Sequence, residues 1–318
     1  MSIPAQECLF SAPYDFLPDD VIQGYRATMP TLFHEVWRSA DLPDTAAVAA
    51  WIPNPGQSFV VNESVLDRFP ALSTLITPST GMTHVDREAC EARAVRVFSL
   101  LDDREGLESI SASAEFTFLL VLNTLRRLEF AVGEVSAGRW RQRENLLRGH
   151  ELDGKRVGLV GMGRIGRRLA KYCLAFGASV AYFDPYVGEI EHRSSTLEEV
   201  FHSSDIICIC CALTPETECM IGYELLETLP LGACLVNSSR GEVLVEEDLI
   251  RFLRIRRDVR VSLDVLSGES SGTHLSSRLL ELHRQGQIVI TPHIAGATVE
   301  SQTKAATIAL RLLRRHTD

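Results

Sequence analysis

Gly161-Met162-Gly163-Arg164-Ile165-Gly166 follows directly on the apolar run Arg156-Val-Gly-Leu-Val160 and opens a helical stretch, Arg164 to Phe176. In that stretch Ile165, Leu169 and Cys173 recur every four residues and share one face. The next apolar run, Ser179 to Phe183, ends in Asp184. A strand, a glycine turn, a helix, a second strand and a carboxylate are, in that order, what a dinucleotide needs. Glycines at 161, 163 and 166 let the backbone turn tightly and approach a pyrophosphate. The helix start offers unpaired N–H groups to the same phosphates, and Asp184 accepts from the ribose hydroxyls.

Working outward, apolar runs alternate with amphipathic ones to the end of the chain. Strands are expected at 156–160, 179–183, 205–213, 233–237, 259–265 and 287–291, with helices near 164–176, 196–203, 222–229 and 245–254. Thr196 and Glu199 have the spacing of a capping box. Such alternation builds a parallel sheet with helices on both faces. Before the glycine turn, short runs at 7–12, 47–52, 72–78 and 95–100 alternate with helix-like 19–28, 62–69 and 86–94. That is a second, smaller α/β domain, followed by a long apolar helix expected from Ala114 to Val132. The last stretch, Ala297 to Arg315, reads as a helix returning to the N-terminal domain. A cleft between the domains, at the carboxyl ends of the strands, is the expected ligand site.

Composition narrows the function. At 318 residues the chain is long enough for two domains, and 45% hydrophobic with 23% charged residues is the balance of a globular protein. A net charge of −10 argues against nucleic acid as the main ligand. No apolar run reaches the roughly 18 residues that span a bilayer. The start of the sequence has neither a basic segment nor a long apolar one, so no secretory signal is expected and the location is read as cytoplasmic. The eight cysteines lack the paired spacing of a zinc site, and Cys208, Cys210 and Cys211 lie inside an apolar run; no metal is expected.

Three polar groups lie just past apolar runs of the second half. Arg240 ends Leu235-Val-Asn-Ser-Ser-Arg, where a guanidinium can grip a carboxylate in a two-pronged fork and polarise a carbonyl. In Ser262-Leu-Asp264-Val-Leu-Ser-Gly-Glu269, Asp264 and Glu269 lie in and beyond the strand end, where a carboxylate is either structural or orients a base. His293, in Thr291-Pro-His-Ile-Ala-Gly296, is the one of nine histidines at a strand end fixed by a proline and a following glycine. A dinucleotide, an Arg for an acid group and a His for a hydroxyl proton suggest hydride transfer. A carboxylate behind the His would hold its tautomer and favour its charged form.

From about residue 45 onward the chain resembles the D-isomer-specific 2-hydroxyacid dehydrogenase family, the group of phosphoglycerate, glycerate and formate dehydrogenases. The matching stretches are Pro78-Ser-Thr-Gly-Met-Thr-His-Val-Asp86, Ala114-Glu115, Gly138-Arg-Trp140, the glycine turn, Phe183-Asp-Pro-Tyr186, Leu213-Thr-Pro-Glu-Thr217, Asn237-Ser-Ser-Arg-Gly241, Leu263-Asp-Val265 and Thr291 to Thr298. The resemblance implies an α/β protein of two domains, a Rossmann-type doubly wound parallel sheet inserted into a smaller flavodoxin-like substrate domain. The substrate domain would be 1–113 with 296–318, and the NAD-binding domain 114–295. It further implies Arg240, Glu269 and His293 as the catalytic set, with Thr80 and Gly81 joining Arg240 and His293 at the substrate. NAD would be held by Gly161, Gly163, Arg164, Ile165, Gly166, Asp184, Cys211, Ser238, Ser239, Asp264, Ala295 and Gly296. Phe116, Ala212 and Ser270 depart from the family's usual His, Pro and Pro.

The expected activity is NAD-dependent interconversion of a small D-2-hydroxy acid and its 2-keto acid, by a homodimer without a nucleic-acid or membrane partner. The alternative on the same fold is a cofactor-sensing binding protein of the corepressor type. An L-lactate or malate dehydrogenase fits less well, because their nucleotide fold starts near the N-terminus.

Overall fold

Ile206-Ile-Cys-Ile209 shows how this chain builds its sheets. All four residues are buried, with Ile207 and Ile209 packed into one apolar cluster and Ile206 and Cys208 into another. A strand covered on both faces has no reason to alternate apolar with polar, so it reads as a continuous apolar run. The computed structural model describes residues 6–44, 46–188 and 193–316. The start of the chain, read above as lacking a leader, lies partly outside them. Among the described residues no helix is long and apolar enough to cross a membrane.

The chain divides into two compact units: Met1–Ile110 with Glu269–Gly272 and Ala297–Asp318, and Ser111–Gly268 with Thr273–Gly296. In the first, strands β1 (Glu7–Phe10), β2 (Thr31–Phe33), β3 (Val48–Ile52), β4 (Thr74–Ile76) and β5 (Arg96–Phe98) form a parallel sheet in the flavodoxin-like order β2-β1-β3-β4-β5. Helices α1 (Asp19–Thr28), α2 (Glu63–Leu66), α3 (Arg87–Ala92) and α4 (Arg104–Glu108) alternate with these strands. One face of the sheet packs Phe10, Tyr25 and Ile52 against the C-terminal helix of the chain, Val299–His316, and the other packs Trp51, Phe69 and Leu75. Tyr25 donates its hydroxyl proton to the Ala306 carbonyl at 2.7 Å, and Arg311 pairs with the nearly buried Asp103 at 2.6 Å. The Arg311 guanidinium holds the Asp103 carboxyl below its usual range.

The second unit begins with α5 (Ala112–Arg126), α6 (Leu128–Ser136) and α7 (Glu144–Leu147). There follow β6 (Arg156–Val160), α8 (Arg164–Ala175), β7 (Ser179–Phe183), β8 (Arg193–Ser194), α9 (Leu197–Ser203), β9 (Ile206–Ile209) and α10 (Tyr223–Glu227). The unit continues through β10 (Cys234–Asn237), α11 (Glu246–Ile255), β11 (Arg260–Leu263), α12 (Leu279–Arg284) and β12 (Ile288–Ile290). Its seven strands lie in the order β12-β11-β10-β9-β6-β7-β8, all parallel. The order runs outward from β6 in both directions, so the chain reverses between β6 and β9, the switch point of a doubly wound sheet. The helix Val299–His316, α13, completes the chain.

Several expectations need correction. The single helix from Ala114 to Val132 is two, because Arg127 takes left-handed φ +53° and ψ +48° and ends α5. The apolar run 205–213 is a strand only to Ile209; its cysteines 210 and 211 lie on the turn beyond, where the backbone meets the Gly161 turn. The edge strands β2 and β8, of three and two residues, were too short to stand out. The capping box of Thr196 and Glu199 forms as its spacing predicts.

Helix α3 is capped by Asp86, which accepts the Ala89 N–H at 3.0 Å, and its exit leaves the exposed Ala94 at φ +56°. That conformation costs a residue with a Cβ about 1 kcal/mol and glycine almost nothing. Ala94→Gly is therefore expected to raise stability by about 0.5–1 kcal/mol. Urea unfolding measures it, and an unchanged or lower midpoint contradicts the assignment.

Candidate active site

Strand register brings the chemistry of the second unit into one line. Val160 pairs with Phe183 and Ile209, Asn237 with Ile209 and Leu263, and Leu263 with Ile290. The residues that follow these strand ends are Gly161, Asp184, Cys210, Ser238, Asp264 and Thr291. Parallel strands in register deliver their loops to the same edge, so six loops of the expected site share the carboxyl edge of one sheet.

At the switch point Gly161 holds φ +100°, and a Cβ there would stand 2.7 Å from the Cys211 backbone nitrogen. At Gly166 a Cβ would stand 2.2 Å from the Gly161 carbonyl oxygen, so helix α8 could not begin this close to the turn with any side chain. Gly163 is different, since a Cβ built on it meets nothing within 4 Å. The protein itself makes no demand for glycine there; a pyrophosphate lying against the backbone does. Gly163 caps α8 without a side-chain bond, leaving first-turn N–H groups at Ile165 and Gly166 for an anion. Asp184 accepts the Met162 N–H at 2.8 Å through one oxygen and the Tyr186 N–H at 2.9 Å through the other. Each oxygen keeps a further lone pair for a ribose hydroxyl. These residues fit a dinucleotide. Burial pushes the Cys211 thiol up to about 11, which keeps it neutral beside the Gly161 turn.

The Arg240 loop is shaped by a residue that sequence reading passed over. Asn237, fully buried, donates to the Arg240 carbonyl at 2.9 Å and accepts from the Ser239 N–H and hydroxyl, each at 3.0 Å. Thr117 of α5 meets the Ser238 hydroxyl at 2.5 Å. Glu242 and Glu246 then accept the N–H groups of Gly268 and Ser267 at 3.0 and 2.8 Å, tying this loop to the segment that leads to Glu269. A buried Asn in Asn-x-x-Arg-Gly, unable to leave its amide unpaired, was the available signal.

Asp264 holds the His293 turn. Its carboxylate accepts from the Thr291 hydroxyl at 2.5 Å, the Ile294 N–H at 3.0 Å and the Ala295 N–H at 2.8 Å, and its carbonyl accepts the His293 N–H at 2.8 Å. Burial raises the Asp264 carboxyl above its usual range, and the bonds from Thr291 and the turn oppose that rise. His293 is bent to φ +53° in this grip. The second unit thus holds Arg240, Asp264 and His293 on three adjacent strand ends. Glu269, Thr80 and Gly81 belong to the first unit. Gly296 has open room, with only Ser113 Oγ at 3.7 Å from a built Cβ. Among the described residues no cluster of His, Cys, Asp and Glu could hold a metal ion.

The family model described as D-isomer specific 2-hydroxyacid dehydrogenase, NAD binding domain, matches residues 118–295, more than half of the chain. Among curated proteins, D-3-phosphoglycerate dehydrogenase of Mycobacterium leprae is 30% identical over 305 residues, covering 93% of this chain and 55% of that protein. The chain thus spans little more than half the length of that relative. Glyoxylate reductase of Thermofilum pendens is 32% identical over 269 residues, 80% of this chain and 74% of that one. Among solved structures, the TT0316 protein of Thermus thermophilus superposes with a TM-score of 0.80 at 28% identity, over 96% of this chain and 94% of its own.

Gly241 fixes the distance between two of these loops. A Cβ there would stand 2.0 Å from the Leu266 carbonyl carbon and 2.2 Å from the Ser267 nitrogen, both backbone. Gly241→Ala must push the loops apart, at a cost of about 1–3 kcal/mol in stability. Calorimetry measures it, and wild-type stability in this variant contradicts the packing described.

Proposed function

The chain belongs to the D-isomer specific 2-hydroxyacid dehydrogenase family, and on that footing we propose that it interconverts a small D-2-hydroxy acid and its 2-keto acid with NAD. The observation that carries the reading is the common sheet edge bearing the glycine turn, Asp184, the clasped Arg240 loop and the His293 turn held by Asp264. Bound NAD supplies or accepts the hydride. Arg240 holds the substrate carboxylate in a two-pronged fork and draws electron density toward the carbonyl oxygen. His293, protonated at the outset of reduction, gives its proton to that oxygen as hydride reaches the carbon; in oxidation, neutral, it takes the proton back. Glu269 is matched to the family's catalytic Glu, and the N–H groups of Thr80 and Gly81 take the substrate carboxylate. Ser238, Ser239, Cys211, Ala295 and Gly296 line the cofactor. The substrate domain is built from both ends of the chain. The corepressor alternative draws no support from the relatives named above.

We further propose a cytoplasmic homodimer. Leu119, Leu128, Val132 and Val135 on α5 and α6 are each at least half exposed, an apolar face that a second copy would cover. Light scattering at micromolar concentration is expected to give twice the 35.3 kDa chain mass, and a monomer contradicts the pairing.

The direct test of the activity is NADH oxidation against a panel of small 2-keto acids. Turnover of at least one is expected, and His293→Ala should lower its kcat by roughly 10²–10⁴-fold while leaving NADH affinity nearly unchanged. Failure of the whole panel contradicts the reading. Arg240→Lys keeps the charge and loses the planar fork, so KM rises and kcat falls; unchanged kinetics would remove Arg240 from the site. Asp184 repels a ribose 2′-phosphate, and the first arginine downstream is Arg193. Catalytic efficiency with NADH should exceed that with NADPH on the order of tenfold to a hundredfold, and parity would contradict this.

A further inference from the structure

A one-way chain of hydrogen bonds runs beneath the loop that follows β4, all within the first unit. The Ser79 hydroxyl donates to the Gly81 carbonyl at 2.6 Å. Thr77 Oγ1 lies 3.0 Å from Ser79 Oγ and 2.9 Å from His84 Nε2. Thr77 is fully buried and His84 is 3% exposed. A hydroxyl has a single proton to donate. The Ser79 proton is directed to Gly81, so Ser79 accepts from Thr77. The Thr77 proton is thereby committed, and its contact with the imidazole is a hydrogen bond only when Nε2 of His84 carries hydrogen. The direction of every bond follows from one fixed end.

We infer that His84 is a positioning residue for substrate binding, a buried imidazole held as the Nε2–H tautomer that fixes the 79–82 loop through Thr77 and Ser79. Drawing the Gly81 carbonyl inward turns the N–H of Met82 the opposite way, because the peptide is planar and trans. The Ser79 carbonyl is anchored separately, accepting the Leu100 N–H at 3.1 Å. The turn is therefore pinned on both sides of Thr80. Between the pins, the N–H groups of Thr80, Gly81 and Met82 have no acceptor among the described residues. A row of amides held outward by a buried chain is a preorganised receptor for a carboxylate. His84 is itself anchored, since its carbonyl accepts the Val61 N–H at 2.9 Å. The chain thus ties the loop after β4 to the segment after β3.

The inference rests on the reading of Thr80 and Gly81 as donors to the substrate carboxylate. Thr77→Val removes one hydroxyl at nearly constant shape, and Thr77→Ser keeps it. With the 2-keto acid that the wild-type chain reduces best, Thr77→Val should raise KM about tenfold, the equivalent of one good hydrogen bond of loop order. NADH affinity should stay within about twofold of wild type, and Thr77→Ser should recover most of the loss. A purely structural role would instead lower stability without separating KM from NADH affinity. Independently of turnover, ¹⁵N-edited spectra of the histidine side chains should show one Nε2–H tautomer that disappears in His84→Gln. An Nδ1–H tautomer at His84, or a Thr77→Val enzyme with wild-type KM, overturns the inference. Absence of turnover with every 2-keto acid overturns the loop reading itself, and shows in the wild type before any variant is made.

Discussion

Asp264 sits fully buried at the end of β11, and a buried carboxylate is tolerable only when its lone pairs are met. Here they are met by one short turn, through the Thr291 hydroxyl and the N–H groups of Ile294 and Ala295. Those three bonds dictate the backbone between them, which is how His293 comes to hold a left-handed φ that costs a non-glycine residue on the order of 1 kcal/mol or more. An unmet buried carboxylate would cost several times that, so the turn has no cheaper arrangement. The position of the proposed acid/base is thus set by the need to satisfy a neighbouring charge, and strain at His293 is the consequence.

The same logic is repeated along the sheet edge. Asn237 at the end of β10 meets its amide with the backbone of residues 239 and 240 and so shapes the arginine loop. Asp184 at the end of β7 meets its carboxylate with Met162 and Tyr186 and so braces the glycine turn. In each case a side chain that cannot remain unpaired fixes the loop, and the loop presents a different group. Glu242 and Glu246 extend this from one loop to the next. Rigid positioning of this kind is what hydride transfer requires, since the reacting atoms must be held close and aligned.

The parts of this arrangement that were legible in the sequence are those written in local pattern. Glycine spacing, a four-residue apolar repeat in α8 and a carboxylate after the next run are all short-range signals, and they located the nucleotide turn. Arg240 and His293 stood out because each follows an apolar run. What could not be read were contacts between distant strands. Nothing local says that Asp264 bonds Thr291, Ile294 and Ala295, some 30 residues away, or that Gly241 is required by the backbone of Leu266 and Ser267. The break of the apolar helix at Arg127 also escaped, because no glycine or proline marks it and the left-handed residue is an arginine. The buried His84 was hidden among nine histidines until its partners were seen.

The central proposal is that His293 moves the proton. The measurement that tests it most directly is the pH dependence of kcat/KM in the wild-type chain, taken in both directions. Reduction needs the imidazole protonated at the outset, so its rate should fall as pH rises; oxidation needs it neutral, so its rate should rise with pH. Limbs that run the same way in the two directions, or rates that do not change with pH, would contradict the account.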